Sequence, residues 1–280
     1  MTRRPYTLLC FAAASAVGAL AVWLAAFALP GGRALDAGAL ESFTGVARPP
    51  LTPRILGLAA LADPWPFAIA AAGLIAIAMV RRRWLMAAVV PAILLTANVV
   101  TQQLKPGLAD LRIVDVRGVD AIYPGSWPSG HSTASMSLAL CLVLVVGPRL
   151  RPLAALVGAG YAIAVGYSLV VLGFHLPSDV LGGYLVAATF TLLGASGLAA
   201  AEARWPAGAP RATRPPAVLS APGLALLAAT CTAIAAVALA VGAPDTTADI
   251  LDHPVAVVAA VGIAVLGLAL TTGLARVLRR

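Results

Sequence analysis

With 61% hydrophobic residues, 11% charged residues and a mean hydropathy of +0.95 over 280 residues, the chain carries more apolar surface than a water-soluble globule can hide. That excludes a soluble enzyme, a disordered chain and a secreted disulfide scaffold, and makes the bilayer the expected solvent. The net charge of +8, from 19 basic and 11 acidic residues, has no soluble domain to form a basic face, so nucleic acid is not an expected partner.

Crossing the hydrocarbon core takes about 20 apolar residues. Eight stretches qualify, at residues 8–29, 64–80, 84–104, 129–146, 153–174, 177–201, 217–241 and 254–274. The expected fold class is therefore all-α, a polytopic membrane helix bundle of eight spans. Arg3 and Arg4 precede the first stretch as they would in a signal peptide. Its 22 residues exceed a signal's apolar region, however, and Phe27-Ala28-Leu29-Pro30 is a poor cleavage site, so it reads as a retained helix. The second stretch has Asp63 as its expected N-cap and Pro64 and Pro66 in its first turn. The preceding residues 51–62 read as an interfacial segment. Residues 202–216 hold four prolines and three arginines, a polar connection that separates a six-helix unit, 1–201, from a two-helix extension, 217–280. Gly and Ala are abundant in that extension and permit close helix packing, including homodimerisation. The three cysteines, Cys10, Cys141 and Cys231, all lie in apolar runs. They read as buried packing residues, not as disulfides or ligands.

Basic residues set the orientation. With the N-terminus cytoplasmic, 13 of the 19 basic residues fall inside and six outside (Arg33, Arg48, Arg54, Lys105, Arg112 and Arg117), while Glu202 is the only acidic residue inside. This positive-inside pattern places both termini in the cytoplasm of a multi-pass cell-membrane protein.

On the outer side, three segments concentrate the reactive residues: Lys105 to Arg112 after the third stretch, Trp127 to Ser132 at the start of the fourth, and Ser168 to Asp179 across the turn from the fifth to the sixth. Lys105 and Arg112 are seven apart, so a helical path puts both on one side, where they can clamp an anion or snorkel toward lipid headgroups. Lys105 is the only lysine against 18 arginines, which favours a particular use. Pro128-Ser129-Gly130-His131 opens a helix. Its free N–H groups can bind an anion, with Gly130 allowing close approach and His131 beside it, or Ser129 can serve simply as a cap. His175 and Asp179 are four apart, so the carboxylate can take one imidazole N–H and leave the other nitrogen as nucleophile or base. A structural pair is the alternative. Zinc is the competing use of His131, His175 and Asp179, but Lys105 and Arg112 would repel a cation, so no metal and no cofactor are expected. His253, beside Asp249 and Asp252, reads as a surface residue.

Taken together, the three segments resemble the type 2 phosphatidic acid phosphatase superfamily, with its pattern K-x6-R-P, P-S-G-H and S-R-x5-H-x3-D. Lys105 and Arg112, the complete Pro128-Ser129-Gly130-His131, and Ser168, His175 and Asp179 have the family's order and spacing. Ile113 stands where the family has proline, and Leu169 where it has an arginine that helps hold phosphate. The resemblance implies that His175 attacks phosphorus to form a phosphohistidine. Asp179 would orient it, and His131 would protonate the leaving oxygen. Lys105, Arg112, Ser129 and the Gly130 amide would bind the phosphoryl oxygens, joined by Ser168. Arg117 is the candidate to replace the missing arginine, and pairing with Asp115 or Asp120 is its alternative use. The implied function is hydrolysis of a phosphomonoester or diphosphate on a membrane lipid, such as a phospholipid or polyprenyl lipid, at the extracytoplasmic face. The rival readings are a non-catalytic lipid-binding or lipid-moving protein with a degenerate site, and a lipid phosphoryl transferase.

Overall fold

The structure is a computed structural model that describes residues 4–44, 51–108, 125–205 and 253–279. The span expected at 217–241, Cys231, most of the 202–216 connection, Arg112 and Arg117 lie outside the described residues. Every described element is helical: α1 (Arg4–Phe27), α2 (Pro30–Thr44), α3 (Thr52–Ala60), α4 (Pro64–Val80), α5 (Trp84–Leu108), α6 (Gly130–Val145), α7 (Arg151–Val171), α8 (Pro177–Arg204) and α9 (Pro254–Val277). Five of these, α1, α5, α7, α8 and α9, are long and apolar enough to cross a membrane. α3 and α4 meet at a 47° bend and together can form a sixth span. The interfacial segment expected before Asp63 is thus helix α3, ending at an elbow formed by residues 61–63. The eight-span count is not established by the described residues.

α6 sits at the centre. Its 16 residues rise only about 24 Å, less than the roughly 30 Å hydrocarbon core, and nearly all of them are buried. It packs against α4, α5, α7, α8 and α9, so it has no polar face to show. Three of its four hydroxyls are satisfied locally, while Ser132 Oγ is buried without a partner among the described residues. Thr133 Oγ1 donates to Ser129 O at 2.9 Å, Ser135 Oγ to Ser132 O at 3.2 Å and Ser137 Oγ to Ala134 O at 2.9 Å. Such bonds let a polar helix lie inside an apolar bundle.

α8 is the second organising helix, flanked by α1, α5 and α6. It touches α6 backbone to backbone: a Cβ at Gly183 would stand 2.7 Å from Ser129 O and 3.1 Å from Thr133 N. Trp127 closes the same end over Gly182, and packs edge-on to Phe27 with centroids 6.4 Å apart.

Two findings depart from the sequence reading. α2 was not expected. Gly31, Gly32 and Gly38 weaken its intrinsic helicity, and it is held by burial of Leu40 and Phe43 in the main core and by Arg33 Nη2 donating to Phe27 O at 2.9 Å. Cys141 is buried, but Cys10 is exposed. On a span, an exposed apolar side chain faces lipid, so Cys10 needs no protein packing, which corrects the expectation that it is buried.

Candidate active site

The start of α8 is built by its neighbours. α7 ends in a Schellman turn, with Gly173 at φ 72° and Phe174 N–H returning to Leu169 O at 3.0 Å. His175 N–H reaches the same carbonyl at 3.3 Å. The chain reverses there, and Pro177 occupies the first turn of α8. Asp36 of α2 then caps α8 from outside, accepting from Ser178 N at 3.0 Å and from Ser178 Oγ at 2.5 Å.

This scaffold fixes the His175–Asp179 pair. Asp179 is fully buried, and its Oδ2 accepts from Leu176 N at 3.0 Å and from His175 Nδ1 at 3.3 Å. With Nδ1 donating to the carboxylate, Nε2 of His175 carries the lone pair. That is the geometry of an oriented nucleophile or base.

The start of α6 lies alongside. Ser129 N donates to Asp179 O at 3.0 Å, tying the two helix starts together. Ser129 Oγ accepts from Ser132 N at 3.3 Å, so Ser129 is the N-cap of α6. Its own hydroxyl proton is left for a further acceptor. Lys105, in the last turn of α5, comes to the same place. A Cβ at Gly130 would stand 3.8 Å from Lys105 Nζ and 3.3 Å from Gln102 Nε2, and the Asp179 carboxylate attracts the Lys105 ammonium. Lys105, Ser129, Gly130, His175 and Asp179, drawn from three separate segments, therefore converge on one end of the bundle.

His131 has a partner that sequence spacing did not reveal. Its Nε2 lies 2.8 Å from Oδ1 of Asp63, at the elbow between α3 and α4. Asp63 was read only as an N-cap, but its side chain makes no cap bond. His131 and His175 thus each have their own carboxylate. Among the described residues, no group of three or more His, Cys, Asp and Glu side chains is arranged to hold a metal ion.

Two residues of the third segment point elsewhere. Ser168 Oγ donates to Val165 O at 2.7 Å within α7, and the residue is buried. Leu169 is 1% exposed and packs with Ala59, Ala62 and Val165, under the same elbow that carries Asp63. Its backbone carbonyl shapes the His175 turn, while its side chain serves apolar packing.

A family model described as "PAP2 superfamily" matches residues 9–202. No curated protein sequence matches the chain. A similar solved structure is the crystal structure of a transmembrane PAP2 type phosphatidylglycerolphosphate phosphatase from Bacillus subtilis. It is 20% identical, with a TM-score of 0.49 over 72% of this chain and 98% of that one.

Proposed function

This chain belongs to the PAP2 superfamily, and from that premise we propose that it is an integral membrane lipid phosphatase acting at the extracytoplasmic face. The observation that carries the reading is His175, held by the buried Asp179 carboxylate beside Lys105 and the N-terminus of α6. His175 Nε2 attacks phosphorus as the bond to the lipid oxygen breaks, and His131 gives that oxygen its proton. Water then attacks the phosphohistidine. His131 takes the water's proton, and inorganic phosphate leaves with His175 restored. Lys105, Arg112, the Ser129 hydroxyl and the Gly130 amide hold the phosphoryl oxygens. Such chemistry is mostly positioning and charge stabilisation.

Candidate substrates are phosphatidic acid, phosphatidylglycerol phosphate, and polyprenyl phosphate or diphosphate. The test is phosphate release from this panel by the purified protein in detergent. EDTA should leave the rate unchanged, and a water-soluble short-chain phosphatidic acid should be hydrolysed when supplied outside intact cells. Turnover abolished by EDTA and restored by zinc would replace this mechanism with a metal-dependent one. Hydrolysis confined to lysed cells would invert the orientation. Leu169, packed away from the site, favours a second reading: a lipid-binding or lipid-moving protein without turnover. A panel giving no phosphate release would favour it.

Asp63 takes the role of positioning His131. Asp63→Asn should slow hydrolysis of lipid esters about tenfold, about 1.4 kcal/mol. In kcat/KM, which reports the step that expels the leaving group, it should barely affect p-nitrophenyl phosphate, whose leaving group needs no proton; kcat should fall for both substrates, because His131 also takes the water's proton. In a His131→Ala background it should add nothing. An equal loss of kcat/KM for both substrates, or an effect that adds to His131→Ala, would refute this role.

A further inference from the structure

The end of the bundle opposite the histidines gathers cations from four places in the chain. Arg4 opens α1, Arg81 and Arg83 follow α4, and Arg151 opens α7. Arg4 Nη2 and Arg151 Nη1 donate to one and the same carbonyl, Leu278 O, at 3.1 and 2.7 Å, just past the end of α9. The Arg81 guanidinium lies over Gly147, 3.3 Å from where a Cβ would stand. Arg83 donates to Glu202 at 2.7 Å. Arg151 is repelled by Arg4, Arg83 and Arg81, and among the described residues its attraction comes from Glu202.

Ordinary snorkelling does not explain this arrangement. A snorkelling arginine sends its head into water, whereas Arg151 is 7% exposed. Among the described residues, one neutral carbonyl and the single carboxylate of Glu202, already paired with Arg83, do not balance these guanidinium charges, and burying an under-compensated charge is costly. The Nε atoms of both Arg4 and Arg151 are buried and have no acceptor among the described residues, an uncommon state for buried donors. Edge-on guanidinium groups with a spare Nε–H match the paired oxygens of a phosphate.

We propose that Arg4, Arg81 and Arg151, with Arg83 at the rim, form a binding site for a phosphate-bearing anion on the side of the membrane opposite the catalytic histidines. The basic-residue bias assigns that side to the cytoplasm. Both Arg4 and Leu278 fall outside residues 9–202, so the site belongs to the junction between the superfamily core and α9, and its ligand would fasten α9 to that core. The proposal goes beyond the phosphatase reading and does not depend on it. The phosphate can come from an anionic lipid headgroup or from solution.

Thermal unfolding of the full chain in detergent, followed by tryptophan fluorescence, tests it. Mixed micelles containing phosphatidylglycerol should raise Tm by about 4 °C or more over phosphatidylcholine if a lipid headgroup fills the site. If free phosphate fills it, inorganic phosphate should give that rise over chloride of equal ionic strength. The shift should survive Lys105→Ala, which disables the phosphate grip at the other end. It should fall by at least half in Arg4→Ala and in Arg81→Ala. Arg151→Lys, which keeps the charge but loses the Nε–H, should weaken apparent affinity about tenfold. Should Arg151→Lys fail to fold, the two peripheral variants still decide. Absence of a shift with both phosphatidylglycerol and phosphate overturns the proposal. So does a shift unchanged in the Arg4→Ala, Arg81→Ala double variant, or one lost in Lys105→Ala.

Discussion

His175→Ala is expected to abolish phosphate release, a loss on the order of 10⁴-fold or more, as when a nucleophile is removed from a unit that acts together. Alanine offers no lone pair to phosphorus, and His131, the other histidine of the site, is tied to the half-exposed Asp63 and not to a buried carboxylate. Stability should change little. The turn that presents His175 is held by backbone bonds to Leu169 O, and Asp179 keeps its bond from Leu176 N. Asp179→Asn should also slow turnover, because the amide can offer N–H to His175 Nδ1 and favour the wrong tautomer. The check is a kinetic assay paired with trapping of radioactive phosphate on the protein. Label should appear in the wild type as an acid-labile, base-stable adduct and be missing from His175→Ala. Full activity in His175→Ala would eliminate the covalent mechanism.

The parts of this site that were legible in the sequence are the local ones. His175 and Asp179 sit four residues apart across the start of α8, and their bond follows from that short separation. Ser129 as the cap of α6 follows from a serine before Gly130 at the edge of an apolar run. Most spans were legible for the same reason: long apolar runs broken by Pro or Arg are signals along one dimension, and α4 spans the residues expected of it. What sequence could not give depends on contacts between distant segments. Asp63 and His131 are 68 residues apart. α2 has mixed composition, and its reasons for being helical, burial of Leu40 and Phe43 and the bond from Asp36 to α8, lie in other elements. Leu169 has the register of a phosphate ligand, yet the α3–α4 elbow covers it. Only the placement of Ala59 and Ala62 explains why a leucine suits that position.

Gly183→Ala should damage both stability and catalysis, because one hydrogen atom at this position keeps the two halves of the site together. The added methyl would stand 2.7 Å from Ser129 O, 2.9 Å from Ser132 Cβ and 3.1 Å from Thr133 N. Two of these three are backbone atoms, and α6 is packed by other helices on its remaining sides, so nothing nearby can rotate away. Either α8 moves out or the start of α6 does. Overpacking of this kind costs about 1–3 kcal/mol. Movement also stretches the bond from Ser129 N to Asp179 O, now 3.0 Å, which joins the helix start beside His131 to the one beside His175. A misplacement of about 1 Å between reacting groups can cost roughly 100-fold in rate, so kcat should fall by about that factor in whatever protein remains folded. Gly197 on the same helix is the control. A Cβ there meets nothing within 4 Å, and alanine is the better helix former by up to about 1 kcal/mol. Gly197→Ala should therefore keep full activity with an equal or higher Tm. If Gly183→Ala matches Gly197→Ala in both Tm and kcat, the backbone contact between α6 and α8 is not what sets the distance between the histidines. If Gly183→Ala keeps its Tm but loses rate, the clash has been relieved by a shift that the fold tolerates and the chemistry does not.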